Sequence, residues 1–191
     1  MNLGVLKRLP LIPTIIVLAA AATMVALGIW QLGRAEEKMM QIILYSKSTA
    51  LAEPAEFPLE GEGEDVWFRQ STLICESVQG IQPVAGTAET GAKGWAMRAT
   101  CITASGGEAL VDLGFSRELD LPDWSAGTVT GMIAPGPKLV ARPAIAGLKP
   151  LARPDPSDLP NNHLAYAGQW FFFALTALVI YGIAVRKRLK P

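Results

Sequence analysis

The sequence predicts an α+β membrane protein. Two transmembrane helices, one N-terminal and one C-terminal, flank a small antiparallel β domain outside the membrane. Three observations predict this layout. Two apolar runs reach the length of a membrane span: Leu11–Trp30, 20 residues, and Leu164–Val185, 22 residues without a charge. A bilayer core about 30 Å thick needs roughly 20 helical residues to cross. The charges are sorted along the chain. Between the two runs, short strand-like segments alternate with turn residues.

The sorting is hidden in the total. The chain has 191 residues, 17 basic and 17 acidic, so its formal net charge is zero. Lys7, Arg8, Arg186, Lys187, Arg188 and Lys190 lie at the two ends, whereas all 17 acids lie between Glu36 and Asp158 and the other 11 basic residues between Arg34 and Arg153. The ends carry +6 and the middle −6. Basic residues flanking a span favour the cytoplasmic side. Both termini are therefore expected in the cytoplasm and the middle outside. The balance excludes a nucleic-acid binder of the usual basic kind.

Taken in order, residues 1–10 read as a cytoplasmic tail and 11–33 as the first span. A cleaved signal peptide is the competing reading of this run. However, apolar sequence continues past Ala19–Ala22 through Val25, Leu27 and Trp30, longer than a usual signal core. A retained anchor is expected. Residues 34–53 read as a helical extension, since Glu36 to Leu44 holds neither Gly nor Pro. Pro54 and Pro58 close it.

Residues 54–162 read as the outer β domain. Val66–Cys75, Trp95–Thr103, Glu108–Phe115 and Gly127–Ala134 are strand-like, and the Ser105-Gly106-Gly107 turn predicts a hairpin between the second and third. Four to seven strands are expected. Eight of the 14 prolines lie between Pro122 and Pro160, so residues 135–160 read as a Pro-rich loop. Residues 163–185 form the second span, and 186–191 a basic cytoplasmic tail.

Cys75 and Cys101 are the only cysteines. An oxidising outer compartment permits a disulfide, and their spacing of 26 fits neither a redox pair nor a zinc ribbon. A structural bridge is expected, with two separate buried thiols as the alternative. If the first two strand runs pair, a register could set the two cysteines opposite each other.

The candidate site lies at the outer ends of the spans. Trp30, Arg34 and Lys38 share one helix face by their i, i+4, i+8 spacing, beside Gln31. His163, Tyr166 and Trp170 share another at i, i+3, i+7. Were the two helices neighbours, the clusters would meet. Aromatic residues here also suit a plain interfacial belt, and Arg34 and Lys38 a snorkelling role. A tetrapyrrole site is the functional alternative. Imidazole is a common axial haem ligand, tyrosine and tryptophan faces suit a flat apolar ring, and a basic residue suits its carboxylates.

The run Gly28-Ile29-Trp30-Gln31-Leu32-Gly33-Arg34, then Lys38, resembles the first signature of the Surfeit-locus (Surf-one/Shy-one) family of cytochrome c oxidase assembly proteins. Asn161-Asn162-His163-Leu164-Ala165-Tyr166-Ala167, then Trp170-Phe171, resembles its second signature. Leu110–Arg117 is similar to a third, but Asp112-Leu113-Gly114-Phe115 stands where most members have Asn-Arg-Gly-Trp.

The resemblance implies a non-enzymatic membrane chaperone that assists haem a delivery to oxidase subunit I, with a haem a synthase as the supplying partner. It implies His163 as a candidate axial ligand to the haem iron, and Trp30, Gln31, Arg34, Tyr166 and Trp170 as its neighbours. A scaffold that stabilises an oxidase intermediate without touching haem is the alternative. The expected location is a bacterial inner membrane, with the central domain in the periplasm.

Overall fold

The structure, a computed structural model, describes residues 10–51 and 53–189. Lys7, Arg8 and Lys190, part of the predicted basic tails, lie outside the described residues. The chain divides into two compact units, one from the N-terminal segment through Gln41 together with residues from Pro160 onward, the other Ile42–Leu159.

The first unit is a helix pair. Helix α1 spans Leu11–Ser48 and helix α2 spans His163–Leu189. At 1.5 Å per residue the 38-residue α1 is about 57 Å long, well beyond a bilayer core. It ends at Ser48, short of the expected boundary at 53, where Thr49 and Ala50 form a turn. The two helices run antiparallel: Thr14 bonds Tyr181, Gly28 packs on Phe171, and Gln31 meets His163.

The contact seam of the pair is narrow and regular. The buried residues of α1 are Ala21, Gly28 and Ala35, each seven apart, and those of α2 are Ala167 and Ala174, also seven apart. A seven-residue repeat keeps one helix face toward its partner. Small residues there let the backbones approach, as is common between membrane helices. Most of the remaining surface is exposed and apolar, including Ile12, Ile16, Phe172 and Ile180. Two helices of this length and apolarity fit a membrane protein.

The second unit is built on one six-stranded sheet: β1 (Gln70–Cys75), β2 (Ser77–Thr87), β3 (Lys93–Ile102), β4 (Glu108–Ser116), β5 (Gly127–Ala134) and β6 (Lys138–Ala141). The order across the sheet is β1-β5-β6-β4-β3-β2. The two outermost strands are neighbours in sequence, separated only by Glu76, whose N–H donates to the Ile102 carbonyl. One long bent strand thus pairs with β5 at its start and β3 at its end, and the sheet curls until its ends meet. Counted as one, β1–β2 makes this a five-stranded Greek-key barrel, the plan of an OB-fold.

Three features differ from the sequence expectation. The sheet is mixed, because β6 runs parallel to β4, Leu110 to Asp112 facing Lys138 to Val140. Strand β6 lies inside the segment read as a Pro-rich loop; its four residues, set close to Pro135, Pro137 and Pro143, are too few to show a period. Strand β2 escaped notice because Gly80, Pro83 and Gly86 interrupt it and it has no clean alternation of buried and exposed positions. Pro83 is tolerated there because that stretch of β2 has only β3 beside it.

The barrel interior follows from alternation. Ser71, Leu73 and Cys75 of β1 are buried while the residues between them are exposed. Leu73, Cys75, Ala99, Cys101, Val111, Leu113, Val129, Ile133 and Leu139 form the main core. Cys75 and Cys101 are joined there by a disulfide, with Cα atoms 5.3 Å apart. The bridge does not come from β1 pairing with β3. Those strands are not neighbours in the sheet, and the sulfurs meet where the bent strand passes from one partner to the other. Leu113 and Phe115, where the family pattern has Arg and Trp, are both buried.

Candidate functional site at the helix pair

The predicted site residues lie on α1, at Trp30, Gln31 and Arg34, and on the first two turns of α2, at His163, Tyr166 and Trp170. Helix α2 starts at His163, just after Pro160-Asn161-Asn162, which places the imidazole at an end of the pair rather than midway along it. Facing it, Gln31 lies between the small seam residues Gly28 and Ala35 of α1. His163 Nδ1 lies 2.7 Å from Gln31 Oε1. A glutamine carbonyl oxygen only accepts, so Nδ1 carries the proton and donates. The other ring nitrogen, Nε2, faces away from the bond. Metal-binding histidines are commonly fixed in this way, by an acceptor on the nitrogen that does not face the metal.

Asn161 reinforces the junction. Its Nδ2 donates to the Ala35 carbonyl at 3.3 Å, and its Oδ1 is buried without a partner among the described residues. A buried unsatisfied acceptor is uncommon in a native fold. Here it stands two residues from the imidazole.

The other predicted residues do not converge on this point. Trp30 and Tyr166 are 56% and 49% exposed, and Arg34 is exposed and donates to Glu37 at 2.5 Å. Trp170 is half-buried and meets Phe173 edge-on, ring centres 6.5 Å apart. The structure brings together Gln31 and His163, from helices 132 residues apart in sequence. It leaves Trp30, Arg34 and Tyr166 on the outside of the pair. The spacing rule placed Trp30, Arg34 and Lys38 on one face correctly, but the face turned toward α2 is the neighbouring one, Gly28–Gln31–Ala35. Their heptad of small residues is the signal that could have found it.

A pair of long apolar helices tied by the His163–Gln31 hydrogen bond, carried in one chain with a β barrel, fits a membrane protein. The family model described as SURF1 family matches residues 18–175. That match covers most of the chain, and the chain belongs to the SURF1 family. Proteins of this family are associated with cytochrome c oxidase assembly and act as assembly factors rather than catalysts. Among curated proteins, none matches the sequence.

Proposed function

We propose that this protein is a membrane-embedded assembly factor that holds haem a briefly at His163 and passes it to subunit I of cytochrome c oxidase. The observation that carries the reading is the 2.7 Å contact between His163 Nδ1 and Gln31 Oε1. It supports an imidazole held in orientation, with Nε2 facing away from Gln31. Bound haem would supply an iron that the His163 imidazole would hold. The chain's own part is to present the nitrogen, keep the proton on Nδ1 and offer apolar surface. Tyr166 and Trp170 would provide that surface at one and two turns from His163.

The cargo must also leave. A site at the end of a two-helix pair encloses a flat ligand on few sides, which suits transfer rather than storage. A non-catalytic role is in keeping with the family, whose members are assembly factors rather than catalysts. The supplying partner would be a haem a synthase. The sorted charges support both termini in the cytoplasm and the barrel in the periplasm of a bacterial inner membrane.

The test is the haem spectrum of the chain purified in detergent from cells that make haem a, beside His163→Ala. A haem a band present in the first and absent in the second is expected. Equal spectra would remove His163 as the ligand. A haem-free wild type that still co-purifies with subunit I would instead support a scaffold, a reading already favoured by the Arg34–Glu37 pair and the exposed Trp30 and Tyr166, which need no cofactor to explain them.

A further inference from the structure

The barrel unit carries a second feature. On the sheet face opposite the main core, a cavity of about 680 Å³ opens over β2, β3, β4 and β6. This size is in the range of small-molecule sites. Its floor is made of small and apolar side chains, Ala85, Gly86, Ala96, Ala134 and Val140. One wall is the extended segment from Leu151 to Leu159, anchored where the Ala152 N–H donates to the Thr87 carbonyl at 2.8 Å.

The charges inside are unequal in their partners. Arg98 and Asp112 face each other across β3 and β4. Arg98 donates from Nε to Oδ1 at 2.6 Å and from Nη2 to Oδ2 at 3.0 Å, so Asp112 is fully answered. Asp155 accepts from the Ser157 N–H. Lys138 is different. It is half-buried, its Nζ donates to the Pro135 carbonyl at 2.6 Å, and no carboxylate lies within ion-pairing distance among the described residues. Burial pushes its ammonium below the usual lysine value, against the pull of Asp112. An ammonium taken out of water without a counter-charge is costly, and an apolar side chain would suit the neighbouring alanines and valine better.

The position in the fold points the same way. In five-stranded barrels of this plan, ligands lie over the second and third strands, between the loop joining strands one and two and the loop joining four and five. Counting β1–β2 as one strand, those loops are residues 88–92 and 135–137, and both border this cavity through Thr87, Lys93 and Pro135. Oligonucleotides are poorly served here. The floor offers no exposed aromatic side chain for base stacking, and the middle of the chain is acidic.

We propose that this cavity binds a small organic anion, its apolar body on the alanine and valine floor and its carboxylate or phosphate on Lys138 Nζ. Arg98, with its bidentate edge given to Asp112, contributes its remaining N–H groups.

The full-length chain in phosphatidylcholine nanodiscs provides the test. Lys138 is modified with an amine-reactive reagent, and its extent of reaction is read by mass spectrometry with benzoate, phenyl phosphate, inorganic phosphate or benzyl alcohol present. Slowing by several-fold with benzoate or phenyl phosphate, and not with benzyl alcohol, is expected; the stronger of the two identifies the head group, and inorganic phosphate reports the contribution of the apolar body. Calorimetric binding of the better anion should weaken roughly 10-fold in Lys138→Met, the scale of one charge-assisted contact, and survive in Lys138→Arg. Protection by neither anion, equal protection by benzyl alcohol, or unchanged affinity in Lys138→Met would each overturn the proposal.

Discussion

His163 of α2 donates from Nδ1 to Gln31 of α1, and this one bond links a helix end to its partner and turns Nε2 away from the contact. The consequence can be measured. Gln31→Leu removes the acceptor without adding a charge. Loss of such a supporting partner typically costs 10- to 100-fold in metal affinity, so haem retained on purification should fall by about that factor. Gln31→Glu restores an acceptor and should recover occupancy with a shifted spectrum. If Gln31→Leu binds haem as the wild type does, Gln31 does not position His163.

Gly28 sets how closely the helices approach. A Cβ added there would lie 2.6 Å from Cε1 of Phe171. That atom is the far end of a ring that can turn aside, so Gly28→Ala should be mild. Gly28→Leu should force the seam apart. Spin labels on Thr14→Cys and Tyr181→Cys, positions whose native side chains meet across the seam, report this by their separation. The distance should be close to the Gly28 value in the alanine variant and lengthen in the leucine variant.

The Arg98–Asp112 pair is nearly enclosed on its acidic side, Asp112 being 4% exposed. Removing one member of a buried pair strands the other. Asp112→Ala should therefore lose about 3 kcal/mol of unfolding free energy. The double variant Arg98→Met/Asp112→Leu should lose less than the two single changes added together. Additive losses in urea titrations would show that the pair is not coupled.

The disulfide closes a segment of 26 residues. Chain-entropy reasoning assigns such a closure about 3.5 kcal/mol. Cys75→Ser/Cys101→Ser should lower stability by about that amount. Full oxidase assembly in this double variant at permissive temperature would also exclude a thiol–disulfide activity at the pair.

Lys138 gives a pH dependence with a definite sign. Its folded pKa is below the unfolded value of 10.5. Between the two values the unfolded chain holds more protons, so stability rises with pH across that window. Below the folded value the cost of the buried charge is fully present. Lys138→Met should remove this rise and stabilise the barrel at neutral pH, seen as a higher urea midpoint. A lower midpoint would mean that Lys138 is a structural support.

Part of this protein is legible residue by residue. Apolar runs of 20 and 22 residues, with basic residues toward the ends and acids between, fix two long helices around a polar domain because helix length and charge placement are local properties. Strand-like runs bounded by turn residues marked β1, β3, β4 and β5, because strand propensity and turn chemistry are local as well. The family signatures pointed to Gln31 and His163 individually. What local pattern cannot carry is partnership. That Gln31 rather than Trp30 or Arg34 faces His163 depends on which side of α1 packs, and this is set by Ala21, Gly28 and Ala35 meeting Ala167 and Ala174. Likewise, Cys75 reaches Cys101 because a bent strand closes the barrel, not because their strands pair. Lys138 becomes an unanswered cation only when the parallel β4–β6 pairing seats it beside a cavity. Sequence determined the elements and their membrane character; the close approach of backbones, possible only where side chains are small, decided which residues meet.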